Sequence, residues 1–316
     1  MKAFILLNLL FIGSLLAQEK LVVKVPEGVS FKAERIVSEG TKISAEVYTP
    51  ADAGSKKLPT ILMSHGWGGT AEGLRPDAIL FARSGFLVVV IDYRGWGNSD
   101  ARLVLSGKKT VKNGKITAEV REVREVVDPI DQTTDIFNAL QWLQGHTQCD
   151  TNRIGIWGSS FSGGHVVYVA ARDPRVKAFV SQVGSMDQRW VWNIPQVRKQ
   201  MFKTSGDRTR GKIGYPEPGQ KYNNMKGVPI MEKLMQYAPI EDVHRISPSC
   251  AKLFIIAEKE ELFDNRDHAI KAHALAKGTK KLVVVKGIKH YGIYHEKRKE
   301  AQQLALDWFN KHLKTK

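Results

Sequence analysis

Cysteine is nearly absent from this chain, and that removes several classes of protein at once. Two residues among 316, Cys149 and Cys250, cannot build a disulfide framework, and they fall short of the four ligands of a structural zinc site. Each precedes an apolar run that reads as a buried strand, so a single bridge in an oxidising compartment and two lone buried thiols are both compatible with the spacing. The nine histidines do not fill the gap. There is no HExxH and no clustered ligand set, so no metal is expected. Acidic residues are outnumbered, 32 against 48 basic ones, which gives a net charge of +16 and makes anionic partners worth considering. The excess is dispersed except over residues 189–226, with nine Lys/Arg and two acids. With no nucleic-acid motif present, it reads as general basicity without a nucleic-acid partner. Internal repeats and low-complexity segments are also missing.

Long hydrophobic runs are missing too. The uncharged run from Ala3 to Ala17 is shorter than the roughly 20 residues of a membrane span. With Lys2 before it and Ala17 ahead of Gln18-Glu19-Lys20, it has the layout of a secretory signal, residues 1–17. The expected mature domain is 18–316, exported to the periplasm or beyond, with no stable membrane span after cleavage. No cysteine follows the run, which argues against a lipid anchor.

What is present is an ordinary globular composition, 42% hydrophobic and 25% charged, long enough to bury a sizeable core. Alternating residues on either side of Ser38-Glu39-Gly40-Thr41 predict a hairpin. Continuous apolar runs then recur at 60–63, 86–91, 153–157, 176–180, 253–257 and 282–285, with helical patterns between several of them. Such runs mark a mostly parallel sheet with helices on both faces. Two stretches break the alternation. Residues 101–126, with Asn113-Gly114 between Lys-rich segments, predict a β-ribbon excursion. Residues 185–240, rich in aromatics, basic residues and proline, suit a small inserted cap whose Trp190, Trp192, Phe202 and Tyr222 could line a pocket or form the cap's own core.

Functional groups of an open parallel sheet gather beyond the C-terminal ends of its strands. Beyond 153–157 comes Gly158-Ser159-Ser160-Phe161-Ser162. A serine on a sharp strand-to-helix turn needs small residues two positions to either side. Gly158 and Ser162 supply them for Ser160. Phe161 would crowd Ser159, and Ser162 lies further from the strand end. After 253–257 comes a loop with Glu260, Glu261 and Asp264, of which Glu260 has the usual offset. After 282–285 comes His290, with His295 further off. Serine, acid and histidine in this order are the parts of a nucleophilic relay: imidazole takes the hydroxyl proton, and carboxylate fixes the imidazole. An acyl-transfer site also needs oxyanion donors. The expected ones are the backbone N–H groups of Phe161 and of Trp67, in the loop His65-Gly66-Trp67-Gly68-Gly69, with His65 bracing that loop.

With these residues in view, the chain resembles the α/β-hydrolase family, and within it the dienelactone-hydrolase-like and acetylxylan-esterase-like branch. The resemblance rests on SHGWGGT (64–70), VVIDYRGWGNSD (89–100), IGIWGSSFSGGH (154–165), DPRVKAFVSQ (173–182), LFIIAEKEELFDN (253–265) and KGIKHYGIY (286–294). It implies an α/β-hydrolase fold and hydrolysis of an acyl bond through an acyl-enzyme on Ser160, His290 and Glu260, without metal or cofactor. The acid position more often holds Asp, which keeps Asp264 open. The expected substrate is a small-molecule or glycan-linked carboxylic ester, with an anionic one favoured if the basic cap attracts it. The alternatives are a serine peptidase of prolyl-peptidase type and a non-catalytic binding protein on the same scaffold.

Overall fold

An eight-stranded sheet organises the chain from residue 29 to residue 285. The computed structural model describes residues 21–314, the side chains of residues 190 and 191 excepted, so the expected signal segment 1–17 lies outside the described residues. The strands are β1 (Val29–Ser38), β2 (Thr41–Pro50), β3 (Leu58–Ser64), β4 (Leu87–Ile91), β5 (Cys149–Ser159), β6 (Val176–Gln182), β7 (Ala251–Ala257) and β8 (Lys280–Val285). Their spatial order is β1-β2-β4-β3-β5-β6-β7-β8. Only β2 runs against the rest: it pairs antiparallel with β1 and β4, and all other pairings are parallel.

The sheet is covered on both faces, which explains why its strands read as continuous apolar runs. Side chains alternate across the pleat. Leu62, Val89, Ile156, Phe179, Phe254 and Ile256 point to one core. Ile61, Met63, Val88, Val90, Trp157 and Val180 point to the other. The first is covered by α2 (Pro129–Gly145), α3 (Phe161–Ala170) and α5 (Ala269–Leu275), the second by α1 (Ala71–Arg83) and α6 (Arg298–Phe309). Each side chain of this size contributes about 1.5–3 kcal/mol on full burial. Gly155 on β5 has its own reason. A Cβ there would stand 2.7 Å from Phe309 Cε1 and 2.8 Å from Leu313 Cδ1, so the glycine lets the closing helix dock.

Helix starts are fixed by side chains reaching from elsewhere. Asp128 caps α2, accepting from the N–H groups of Ile130 (3.0 Å) and Asp131 (3.3 Å), with Pro129 preset for the first turn. Thr70 makes no such bond for α1. Asp92, at the end of β4, does so instead, accepting from Ala71 N–H at 2.7 Å and from Asn98 N–H at 2.9 Å. One buried carboxylate therefore ties the loop after β3 to the loop after β4.

Outside the sheet, Arg102–Lys112 and Lys115–Val123 form an antiparallel ribbon, turning through Asn113 and Gly114, which both have positive φ as a tight hairpin turn demands. Residues 185–240 hold α4 (Pro195–Thr209), a helical turn at Met231–Leu234 and very short strands. One of these, Val228–Pro229, pairs in parallel with Val126–Val127 at the root of the ribbon. Cys149 and Cys250 are buried free thiols. Among the described residues no helix is long and apolar enough to cross a membrane.

Candidate active site

Strand β5 ends at Ser159, helix α3 begins at Phe161, and Ser160 takes the whole reversal between them. Its φ of 57° and ψ of −122° lie in a region that side-chain-bearing residues rarely enter. The turn is pinned on three sides: Ser160 N–H donates to Gln182 O (2.8 Å), and Ser160 O accepts from Gly163 N–H (2.9 Å) and Ser185 N–H (3.1 Å). Small flanking residues are required. A Cβ on Gly158 would come within 2.6 Å of Ser162 Oγ and 2.3 Å of its carbonyl oxygen.

Ser160 Oγ lies 3.0 Å from His290 Nε2. On the far side of the ring, His290 Nδ1 faces both oxygens of Glu260, at 2.9 and 2.8 Å. The side chains of His290 and Glu260 are 1% and 2% exposed, so this contact is shielded from water. An imidazole so held can accept a hydroxyl proton through one nitrogen while the carboxylate keeps the other protonated. Glu260 has one methylene more than aspartate and still reaches. Its neighbour Glu261 accepts the backbone N–H of His290 at 2.8 Å, while Leu262 N–H donates to Glu260 at 3.1 Å.

The other candidates fall elsewhere. Ser162 is fully buried, 2.6 Å from Ser64 Oγ, and accepts from Tyr93 OH at 3.2 Å. Asp264 is paired with Arg266, which holds its carboxyl down at about 2, while His290 Nδ1 faces Glu260. His295 is exposed on the rim of the cleft. His65 is buried and kept neutral by that burial; its Nδ1 donates to Gly66 O at 3.0 Å and its Nε2 accepts from Tyr93 N–H at 3.5 Å, so both nitrogens brace the glycine loop.

That loop lies directly on the Ser160 turn. A Cβ on Gly66 would stand 2.9 Å from Ser160 Cβ and 3.5 Å from Phe161 N. Phe161 opens α3, and first-turn N–H groups have no partner within their helix. Trp67 follows Gly66, and its ring packs on Phe161 (5.4 Å) and stacks on Tyr222 of the inserted segment (5.8 Å).

Two compartments meet at Ser160. A cleft of about 440 Å³ is lined by His290, Tyr291, Tyr294, His295 and Arg298 together with the glycine loop. A smaller cavity of about 230 Å³ is lined by Phe161, Tyr222, Leu234, Leu262 and Phe263, with Ser185, Gln188 and Asn223 as its polar members. Trp67, Ser160 and Met225 border both. None of the basic residues between 189 and 226 lines either one among the described residues. Of the aromatics singled out from sequence, Tyr222 reaches the cavity, whereas Trp192 and Phe202 pack on each other at 5.5 Å and are 36% and 56% exposed. The side chain of Trp190 lies outside the described residues.

Sequence reasoning passed over Tyr294. Its hydroxyl is 2.7 Å from Ser159 Oγ, which also accepts from Gln182 Nε2 at 3.1 Å; burial pushes the phenol pKa up and keeps it protonated. Its place four residues after His290 on a short helical turn was the available signal. Among the described residues no group of three or more His, Cys, Asp or Glu could hold a metal ion.

Residues 39–209 match the model of the X-Pro dipeptidyl-peptidase (S15) family, and residues 130–316 match that of the prolyl oligopeptidase family. An uncharacterised 31.7 kDa protein of Escherichia coli, from the traX-finO intergenic region, is 28% identical over 312 residues, 88% of this chain and 98% of that protein. Among solved structures, the α/β hydrolase GrgF from Penicillium sp. sh18 superposes with a TM-score of 0.71 at 19% identity, covering 91% of this chain and 99% of that one. Acetyl xylan esterase 1 from Thermoanaerobacterium sp. JW/SL YS485 gives 0.60 at 18% identity, covering 92% and 86%.

Proposed function

The chain belongs to the α/β-hydrolase family, and from that footing we propose that it is an exported serine hydrolase that cleaves carboxylic esters through an acyl-enzyme. The observation that carries this reading is the unbroken line of hydrogen bonds from Ser160 Oγ through His290 to Glu260, set at the C-terminal ends of β5, β7 and β8. Ser160 Oγ attacks the acyl carbon while its proton passes to His290 Nε2. Glu260 holds the Nδ1 proton and stabilises the imidazolium. The developing oxyanion is met by the N–H groups of Phe161 and Trp67. His290 then gives its proton to the departing alcohol oxygen, and a water repeats the sequence on the acyl-enzyme to release the acid.

A fluorophosphonate reacts with an activated serine whatever the substrate. Labelling of the protein isolated from cells, followed by peptide mapping, is expected to place the label on Ser160, to lose it in Ser160→Ala and His290→Ala, and to find Gln18 at the mature N-terminus. A folded protein that takes no label refutes the serine-hydrolase reading. A label on Ser162 refutes the choice of nucleophile, and a retained Met1 refutes cleavage of a signal after Ala17.

A second reading, cleavage of a peptide bond at proline, is favoured by the two peptidase family models. The same relay would serve it, because amide and ester share the tetrahedral intermediate. Turnover of prolyl amides above that of matched esters would select it.

A further inference from the structure

Resting on the ester-hydrolase reading, we infer that the 230 Å³ cavity holds the acyl half of the substrate, a single aromatic ring on a short linker, and that the alcohol leaves through the larger cleft. The assignment of halves follows from proton transfer. When the tetrahedral intermediate collapses, the C–O bond to the alcohol breaks and the proton on His290 Nε2 moves to that oxygen. The leaving oxygen must then lie within about 3 Å of Nε2, and whatever it carries must occupy space that His290 borders. Among the described residues His290 borders the cleft and does not border the cavity, although both reach Ser160. The acyl group, bonded to Ser160 through both half-reactions, is left with the cavity. The deacylating water then enters by the cleft that the alcohol has vacated.

The size and lining of the cavity set the class of acyl group. An apolar protein cavity of about 150 Å³ holds benzene. The volume here exceeds that by about 80 Å³, room for a linker of two or three carbons at roughly 30 Å³ each, the share of one water in the liquid. Trp67, Phe161, Tyr222 and Phe263 supply four rings to its wall. Trp67 already contacts two of these at 5.4 and 5.8 Å, within the range in which tilted and stacked rings attract. Gln188 Nε2 donates to Ser185 Oγ at 2.7 Å, which leaves the Gln188 amide oxygen to accept from a hydroxyl on the ring. The inference therefore specifies arylpropanoyl or arylpropenoyl esters.

The test uses methyl and 4-nitrophenyl esters of 3-phenylpropanoic acid beside the matching acetates and octanoates, with wild type, Leu234→Phe, which fills the cavity, and Tyr222→Ala, which widens it. The phenylpropanoyl-enzyme is expected to decay at one rate whichever alcohol formed it. Leu234→Phe is expected to slow that decay and to lower the phenylpropanoyl-to-acetyl ratio of kcat/KM at least tenfold. Tyr222→Ala, at a half-exposed position that tolerates truncation, is expected to move the optimum toward bulkier acyl groups. Decay insensitive to both substitutions, with selectivity for the alcohol changed instead, would overturn the assignment of halves. Octanoyl preferred over phenylpropanoyl would overturn the aromatic class. Either result leaves an acyl-enzyme on Ser160 in place, whereas failure to form one with every ester sinks the underlying reading itself.

Discussion

Replacing Glu260 by glutamine removes one charge and leaves the shape almost unchanged, so its effect on turnover can be worked from one distance. In the transition state the ring of His290 is cationic, and the nearer carboxylate oxygen lies 2.8 Å from Nδ1. With 332/(εr) and an effective dielectric of about 20, the attraction is about 6 kcal/mol. At 1.36 kcal/mol per factor of ten, that is a fall in kcat of about four powers of ten. The same magnitude accompanies a carboxylate-to-amide change in serine proteases, where the wrong imidazole tautomer adds to the loss. Glu260→Asp separates charge from reach. It keeps the carboxylate but withdraws it by about one C–C bond, roughly 1.5 Å, and breaks the hydrogen bond unless the loop advances, so an intermediate loss of ten- to a hundredfold is expected. Steady-state kinetics on an activated ester, with circular dichroism to verify folding, measures both. If Glu260→Gln keeps more than a tenth of wild-type kcat, Glu260 does not orient His290 in the reaction, and Asp264 or Glu261 must be tested in its place.

Two further substitutions probe the loop and the core. Gly66→Ala would bring a Cβ to 2.7 Å from Ser159 O and 2.9 Å from Ser160 Cβ, neither of which can yield, so the glycine loop must retreat from the oxyanion position. A fall in kcat of about 10²–10³ is expected, with the melting temperature lowered as well because the clash is with backbone; undiminished turnover would mean the loop contributes no donor. His165 is fully buried between Tyr237 OH and Gln132, and burial above all pushes its pKa down to about 3. The unfolded chain binds that proton from about pH 6.5 downward. Stability is therefore complete above about pH 6.5 and falls as pH drops toward 3, by up to about 1.4 kcal/mol per unit. His165→Gln, which keeps an amide for Tyr237 and cannot be protonated, is expected to flatten the urea midpoint against pH between 6.5 and 4; identical slopes would refute the assignment.

The sheet was legible because both its faces are buried: runs such as Phe86–Ile91 and Leu253–Ala257 are apolar at every position, a signal independent of their partners. Asn113-Gly114 announced its turn, and Asp128-Pro129 its helix, by local backbone chemistry. The neighbourhood of Ser160 was legible for the same reason, since a strand-to-helix reversal restricts which side chains fit at Gly158 and Ser162. Which acid faces His290 was open in sequence and turned on the path of one loop. Other contacts had no local signature. Tyr294 meets Ser159 across 135 residues, and Met225 and Leu234 reach the site from a segment without regular periodicity. The aromatic residues of 185–240 looked equivalent in composition, yet tertiary packing sends Tyr222 to Trp67 and leaves Trp192 on Phe202 at the surface.

The contacts around His290 separate the reacting groups from the walls that would select a substrate. Glu258 accepts from Gly287 N–H at 2.8 Å and pairs with Lys286, Lys259 N–H donates to Ile288 O at 2.9 Å, and Glu261 takes the N–H of His290. These bonds extend the pairing of β7 with β8 beyond the strands, so the spacing of Glu260 and His290 is fixed by the sheet and not by the inserted segment. Tyr222 and Met225, by contrast, hang from a two-residue pairing and from the contact of Lys226 with Gly68, whose Cβ would stand 2.9 Å from the Lys226 carbonyl, whereas Leu234 is anchored in the main core. Substitutions in that segment can reshape the cavity without disturbing the line from Glu260 to Ser160. The walls of the cavity can therefore vary while the geometry of Ser160, His290 and Glu260 stays the same.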